Sequence, residues 1–83
     1  MMEHHRLFEV SFRPPTNTKG PRVCINDLRQ GVRKYIPDES GRHIAEQAAV
    51  HLAGKGIECV VFGGDHNKGR YILTTTNFQN SIR

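Results

Sequence analysis

Between Arg13 and Lys34 the sequence carries six basic residues, Arg13, Lys19, Arg22, Arg29, Arg33 and Lys34, against one acid, Asp27. This is a local excess of five positive charges in twenty-two residues. The chemistry it suits is the binding of anions, above all the phosphates of a nucleic-acid backbone. Arg13, Lys19 and Arg22 bracket the loop PPTNTKGPR, whose hydroxyls, amides and glycine can also donate to phosphate oxygens. Arg29 and Arg33 fall in or beside the next turn, at the opposite end of the strands, so the charges describe a stripe and not one patch. A competing reading assigns the same charges to solubility and to discouraging strand addition at sheet edges. Base stacking would also need exposed aromatics, for which Tyr35, Phe62 and Tyr71 are the candidates. The chain carries no RNA-binding module signature, so the nucleic-acid signal is electrostatic.

Other chemistry is less well supplied. His4 and His5 are adjacent, His43 and His51 stand two helical turns apart, His66 lies in a turn, and neither Cys24 nor Cys59 has a cysteine or histidine close by in sequence. Zinc ligands usually come in pairs two to four residues apart, so no metal site and no cofactor is expected. Covalent catalysis needs a nucleophile beside a base, and only Cys59 with His43 or His51 offers one. A core cysteine and solvent-facing histidines is the simpler account. Gly63, Gly64 and Gly69 surround Asp65 without a following helix to donate N–H groups to phosphate, and they read as a hairpin turn. A non-enzymatic protein is the expectation.

Eighty-three residues make one domain, since so short a chain cannot divide its apolar groups between two cores. With 36% hydrophobic and 24% charged residues it has a globular composition. No apolar run approaches the roughly 20 residues that a bilayer demands, and MMEHHRLFEV has neither the apolar run nor the cleavage site of a signal peptide. A cytoplasmic protein with no membrane partner is expected, its two cysteines serving as small buried hydrophobes and not as a disulfide. The formal charge of +4 mildly favours an anionic partner.

The element expected to organise the rest is a helix in Gly41 to Gly54. Its stripe of Ile44, Ala45, Ala48, Ala49 and Leu52 recurs at helical spacing, with Ser40 as the N-terminal cap and Gly54 free to take positive φ. Asp38 and Glu39 lie near the positive end of its dipole. Strands are expected at Arg6 to Arg13, Arg22 to Asp27, Val32 to Ile36, Ile57 to Phe62 and Arg70 to Thr76. Alternation sets Phe8, Val10 and Phe12 against Leu7, Glu9, Ser11 and Arg13. It likewise sets Val23 and Ile25 against Cys24 and Asn26, and Val32, Lys34 and Ile36 against Arg33 and Tyr35. The nearly continuous apolar run from Ile57 predicts a central strand. Residues 1–5 and 77–83 are expected to fray. The order β-β-β-α-β-β predicts an α+β two-layer sandwich, a mainly antiparallel five-stranded sheet with one helix on one face and the other face uncovered.

On the helical wheel Val50 falls opposite the apolar stripe, beside His43 and Gln47. These three make a candidate protein contact or homodimer interface, as do the unpaired sheet edges. Pro15, Thr16, Asn17, Thr18, Lys19, Gly20 and Arg22 after the first strand, then a strand pair ending in Tyr35 to Asp38, a single helix and a closing hairpin, form a further pattern. It resembles small proteins encoded by bacteriophages and other bacterial mobile elements, from which Pro21 is a departure. That resemblance implies a cytoplasmic accessory protein acting on host or defence components. The leading expectation is a basic, non-enzymatic module that engages an anionic partner, nucleic acid foremost. The alternative is a phage-type accessory protein that binds and modulates a host or defence complex.

Overall fold

The computed structural model describes residues 6–38 and 41–76. The expected fraying at 1–5 and 77–83, the Ser40 cap and the contribution of Glu39 lie outside them. The strands are β1 (Leu7–Arg13), β2 (Arg22–Asp27), β3 (Val32–Pro37), β4 (Cys59–Asp65) and β5 (Arg70–Thr75), with the helix α1 (Ile44–Ala53) between β3 and β4. They form one sheet in the order β3-β2-β1-β5-β4, every neighbouring pair antiparallel. The expected two-layer α+β architecture and its element order are present.

Alternation decides which face the helix takes. Phe8, Val10, Val23, Ile25 and Leu73 project to one side and are buried with Ile44, Ala45, Ala48 and Leu52 of α1. Phe12, Ile36, Ile57, Cys59 and Tyr71 pack around that cluster. Alanine at 45 and 48 fills the helix side of the core with small side chains between the longer Ile44 and Leu52. Each buried Val, Leu, Ile or Phe contributes about 1.5–3 kcal/mol of transfer free energy, which accounts for the face being fixed.

The helix ends differ from expectation in instructive ways. Gly54 has φ −63° and continues the helical turn; the positive φ is taken by Gly56, at +83°. There the Gly56 N–H donates to Ala53 O and the Ile57 N–H to Leu52 O. These bonds form a Schellman closure, with Ile57 and Leu52 both packed in the core region. At the other end the residue before the helix is His43, left-handed at φ 54° and with no side-chain capping bond. Asp38 acts earlier, its Oδ2 accepting from the Gly41 N–H at 2.9 Å.

The fourth strand corrects the sequence reading. It runs from Cys59 to Asp65 at the sheet edge, where Val60, Val61 and Phe62 are exposed, and is not a covered central strand. The segment expected to be a turn from Gly63 instead continues the strand through a bulge at Phe62, and the reversal falls at the 3-10 turn His66–Lys68. Gly64 is needed for close approach and not for turning. A Cβ there would stand 2.6 Å from Arg70 O. Among the described residues no helix is long and apolar enough to cross a membrane.

Candidate nucleic-acid interface

The sheet face opposite α1, which no described element covers, is assembled by strand register. One cross-sheet row reads Pro37, Arg22, Arg13; the next reads Tyr35, Cys24, Ser11, Arg70; the third reads Arg33, Asn26, Glu9, Ile72. Arg13 and Arg22 are direct Cα partners, a like-charge juxtaposition that costs stability in an antiparallel pair. Three of the six sequence-predicted cations, Arg13, Arg22 and Arg33, therefore share one face. Cys24, opposite both Ser11 and Tyr35, is buried at 2% exposure, so this face presents no thiol at its centre.

Arg22 is held in place. Its Nη1 donates to Gly20 O at 3.0 Å and Pro14 O at 3.4 Å, and its guanidinium carbon sits 5.7 Å from the centroid of the Tyr35 ring. The loop itself is tied by Thr16. The Thr16 hydroxyl accepts from the Lys19 N–H at 3.0 Å, and the Thr16 N–H donates to Lys19 O at 2.8 Å. Lys19 is thereby fixed at the Arg13 and Arg22 end of the sheet.

At the other end, Asp27 builds the turn that carries Arg29. Its Oδ1 accepts from the Arg29 and Gln30 N–H groups at 3.0 and 3.3 Å, and Gly31 completes the reversal at φ +73°. Its Oδ2 accepts from Arg6 Nη2 at 2.7 Å. Burial pushes the Asp27 carboxyl upward, but the Arg6 bond, the two backbone N–H groups and the Arg6 charge outweigh it and hold the group below its ordinary 3.8.

Lys34 is a correction to the expected stripe. It pairs with Ile25 in register and so faces the helix side, where it lines a cavity of about 190 Å³ with His51 and Lys55. Burial, then Lys55 and Lys34, keeps the His51 imidazole below its ordinary value. Tyr71 is also on the helix side, packed against the core, which leaves Tyr35 (48% exposed) and Phe62 (69%) as the exposed aromatics of the three expected.

Among the described residues the ion pairs are Arg6 with Asp27, His43 with Glu46, Lys68 with Asp65 and Arg70 with Glu9. None engages Arg13, Lys19, Arg22, Arg29, Arg33 or Lys34. The acids of the uncovered face, Glu9 and Asp65, each lie against a cation, 3.5 Å from Arg70 and 4.0 Å from Lys68. Among the described residues the face thus keeps an uncompensated positive charge. Sequence reasoning missed Arg70 and Glu9, because their apposition depends on β1 pairing with β5, a neighbour relation that spacing along the chain does not reveal.

The other predicted sites fall elsewhere. His43, Gln47 and Val50 lie on the outer side of α1, where Val50 is 72% exposed. Cys24 and Cys59 are free thiols on β2 and β4, with β1 and β5 between them. Burial raises the Cys59 thiol above its ordinary range despite Arg6, which works against a reactive thiolate. No group of three or more His, Cys, Asp or Glu able to hold a metal ion occurs among the described residues. No family model, curated protein or solved structure matches the chain.

Proposed function

We propose that this protein is a non-enzymatic binding module for nucleic acid, engaged through the sheet face opposite its helix. The observation that carries the reading is the grouping of Arg13, Arg22 and Arg33 on that face without a carboxylate partner among the described residues. Lys19 and Arg29 stand in the loop and the turn at the two ends of the same strands. Phosphate contacts of this kind release counterions, so affinity should fall steeply with salt.

With three to five such contacts, log K against log salt should have a slope of about −2 to −4.5. Fluorescence anisotropy of a labelled mixed-sequence oligonucleotide measures it. Replacing Arg13, Arg22 and Arg33 together by Ala should remove most of the binding and flatten the slope. Absence of binding at low salt, or binding untouched by the triple replacement, rejects the reading.

A second reading has its own surface. Val60, Val61 and Phe62 on the β4 edge are more than half exposed, and although Val60 and Val61 point to opposite faces of the sheet they make that edge apolar, which suits a protein partner. The resemblance to small proteins of bacteriophages and other bacterial mobile elements, drawn on the loop, the strand pair, the helix and the closing hairpin, would make the partner a host or defence complex. It predicts a stoichiometric protein partner that survives nuclease treatment and is lost on Phe62→Lys.

A further inference from the structure

Tyr35, Arg22 and the two prolines beside them do more than add charge. Gly20, Pro21, Arg22, Tyr35, Ile36 and Pro37 line an open concavity of about 220 Å³ at the edge of the uncovered face. Its walls include a half-exposed phenol ring, two pyrrolidine rings and a guanidinium group already fixed by two backbone carbonyls. Flat, weakly polar surfaces with a planar cation suit a heteroaromatic ring, which stacks on both aromatic and guanidinium planes. Arg13 lies one strand beyond Arg22, and Arg33 two residues along β3 from Tyr35. Two residues along a strand span about 6.7 Å. Cations therefore flank the concavity at side-chain reach on both sides.

Duplex recognition asks for a different shape. A major groove admits a helix or a protruding two-stranded ribbon. Here the helix lies on the opposite face, and no lysine or arginine occurs from Ile44 to Ala53. In a duplex the ring faces of the bases are covered by their stacked neighbours, so Tyr35 could stack on one only at the free-energy cost of unstacking it first. We propose that the partner is a single-stranded nucleic acid, one base of which occupies the concavity against Tyr35 and Arg22 while adjacent phosphates meet Arg13 and Arg33. This rests on the nucleic-acid reading of the same face and adds to it the strandedness and the stacking residue.

The experiment compares a labelled 12-nucleotide oligothymidine with a 12-base-pair duplex at moderate salt, using the intact chain, Tyr35→Ala and Tyr35→Phe. The single strand should bind at least about tenfold tighter than the duplex. Tyr35→Ala should lose about 5- to 150-fold, the range given by removal of one stacked base, with an unchanged salt slope, and Tyr35→Phe should retain binding. Tyr35→Trp offers a second readout, because the chain has no tryptophan and the new fluorophore should be quenched by the oligonucleotide. Equal or tighter duplex binding, an unaffected Tyr35→Ala variant, or an unquenched Trp in a chain that still binds overturns the inference and leaves the parent reading standing. No binding of either nucleic acid at low salt overturns both.

Discussion

The two faces of the sheet are made from the same strands, residue by residue, yet they solve opposite problems. On the covered face Val10, Val23 and Leu73 are fully buried beneath α1, and removing atoms there leaves a hole. On the uncovered face Arg13 stands opposite Arg22 with no acid between them, and removing that charge relieves repulsion. One face is arranged for stability, whereas the other accepts a cost in stability. That cost is what makes the second face a candidate for function.

The largest effect should come from the covered side. Leu73→Ala is expected to lower stability by about 3 kcal/mol, a large share of what a domain of this size possesses, as read by urea denaturation. A loss under about 1 kcal/mol would mean that the helix packs too loosely for the contrast to hold.

Asp27 should give an intermediate effect. Asp27→Asn breaks a carboxylate bonded to Arg6 and two turn N–H groups, for about 1–2 kcal/mol. The figure is kept low because the Arg6 side chain remains 30% exposed. The sign with pH follows from the depressed folded-state value. The unfolded chain takes up the proton first, so the stabilisation is complete above the ordinary carboxylate value of 3.8 and disappears as pH falls through the lower folded value. Melting temperatures from about pH 6 to pH 2 should converge for the two proteins at the acid end; parallel curves would remove Asp27 from the account.

The smallest effect belongs to the uncovered face. Arg13→Ala should change stability by no more than about 0.5 kcal/mol, in the stabilising direction, while weakening oligonucleotide binding. A destabilisation above about 1 kcal/mol would make Arg13 a structural residue and blur the difference between the faces.

Much of this division was readable in the chain. Alternation at Phe8, Val10 and Phe12 against Glu9, Ser11 and Arg13 determined both faces of β1, and the same held for β2 and β3. The period of a strand is two whatever its neighbours are, so this information is local. Position within the sheet is not local. The run CVVF in β4 is apolar enough for a central strand, but β5 pairs with β1 and leaves β4 outside it. Helix termination misled for a related reason. Both Gly54 and Gly56 tolerate positive φ, and the choice between them follows from Ile57 packing near Leu52. Within the candidate site, Lys34 counted toward the charge excess although its parity with Val32 and Ile36 already turned it toward the helix. Charge totals ignore direction.

The most direct measurement is a map of backbone amide shifts in an isotopically labelled sample titrated with the oligonucleotide. Perturbations should concentrate at Ser11, Arg13, Arg22, Cys24, Arg33 and Tyr35 and spare Gln47 to Leu52. Perturbations centred on α1 or on Val60 to Phe62, with the arginine-bearing face silent, would contradict it.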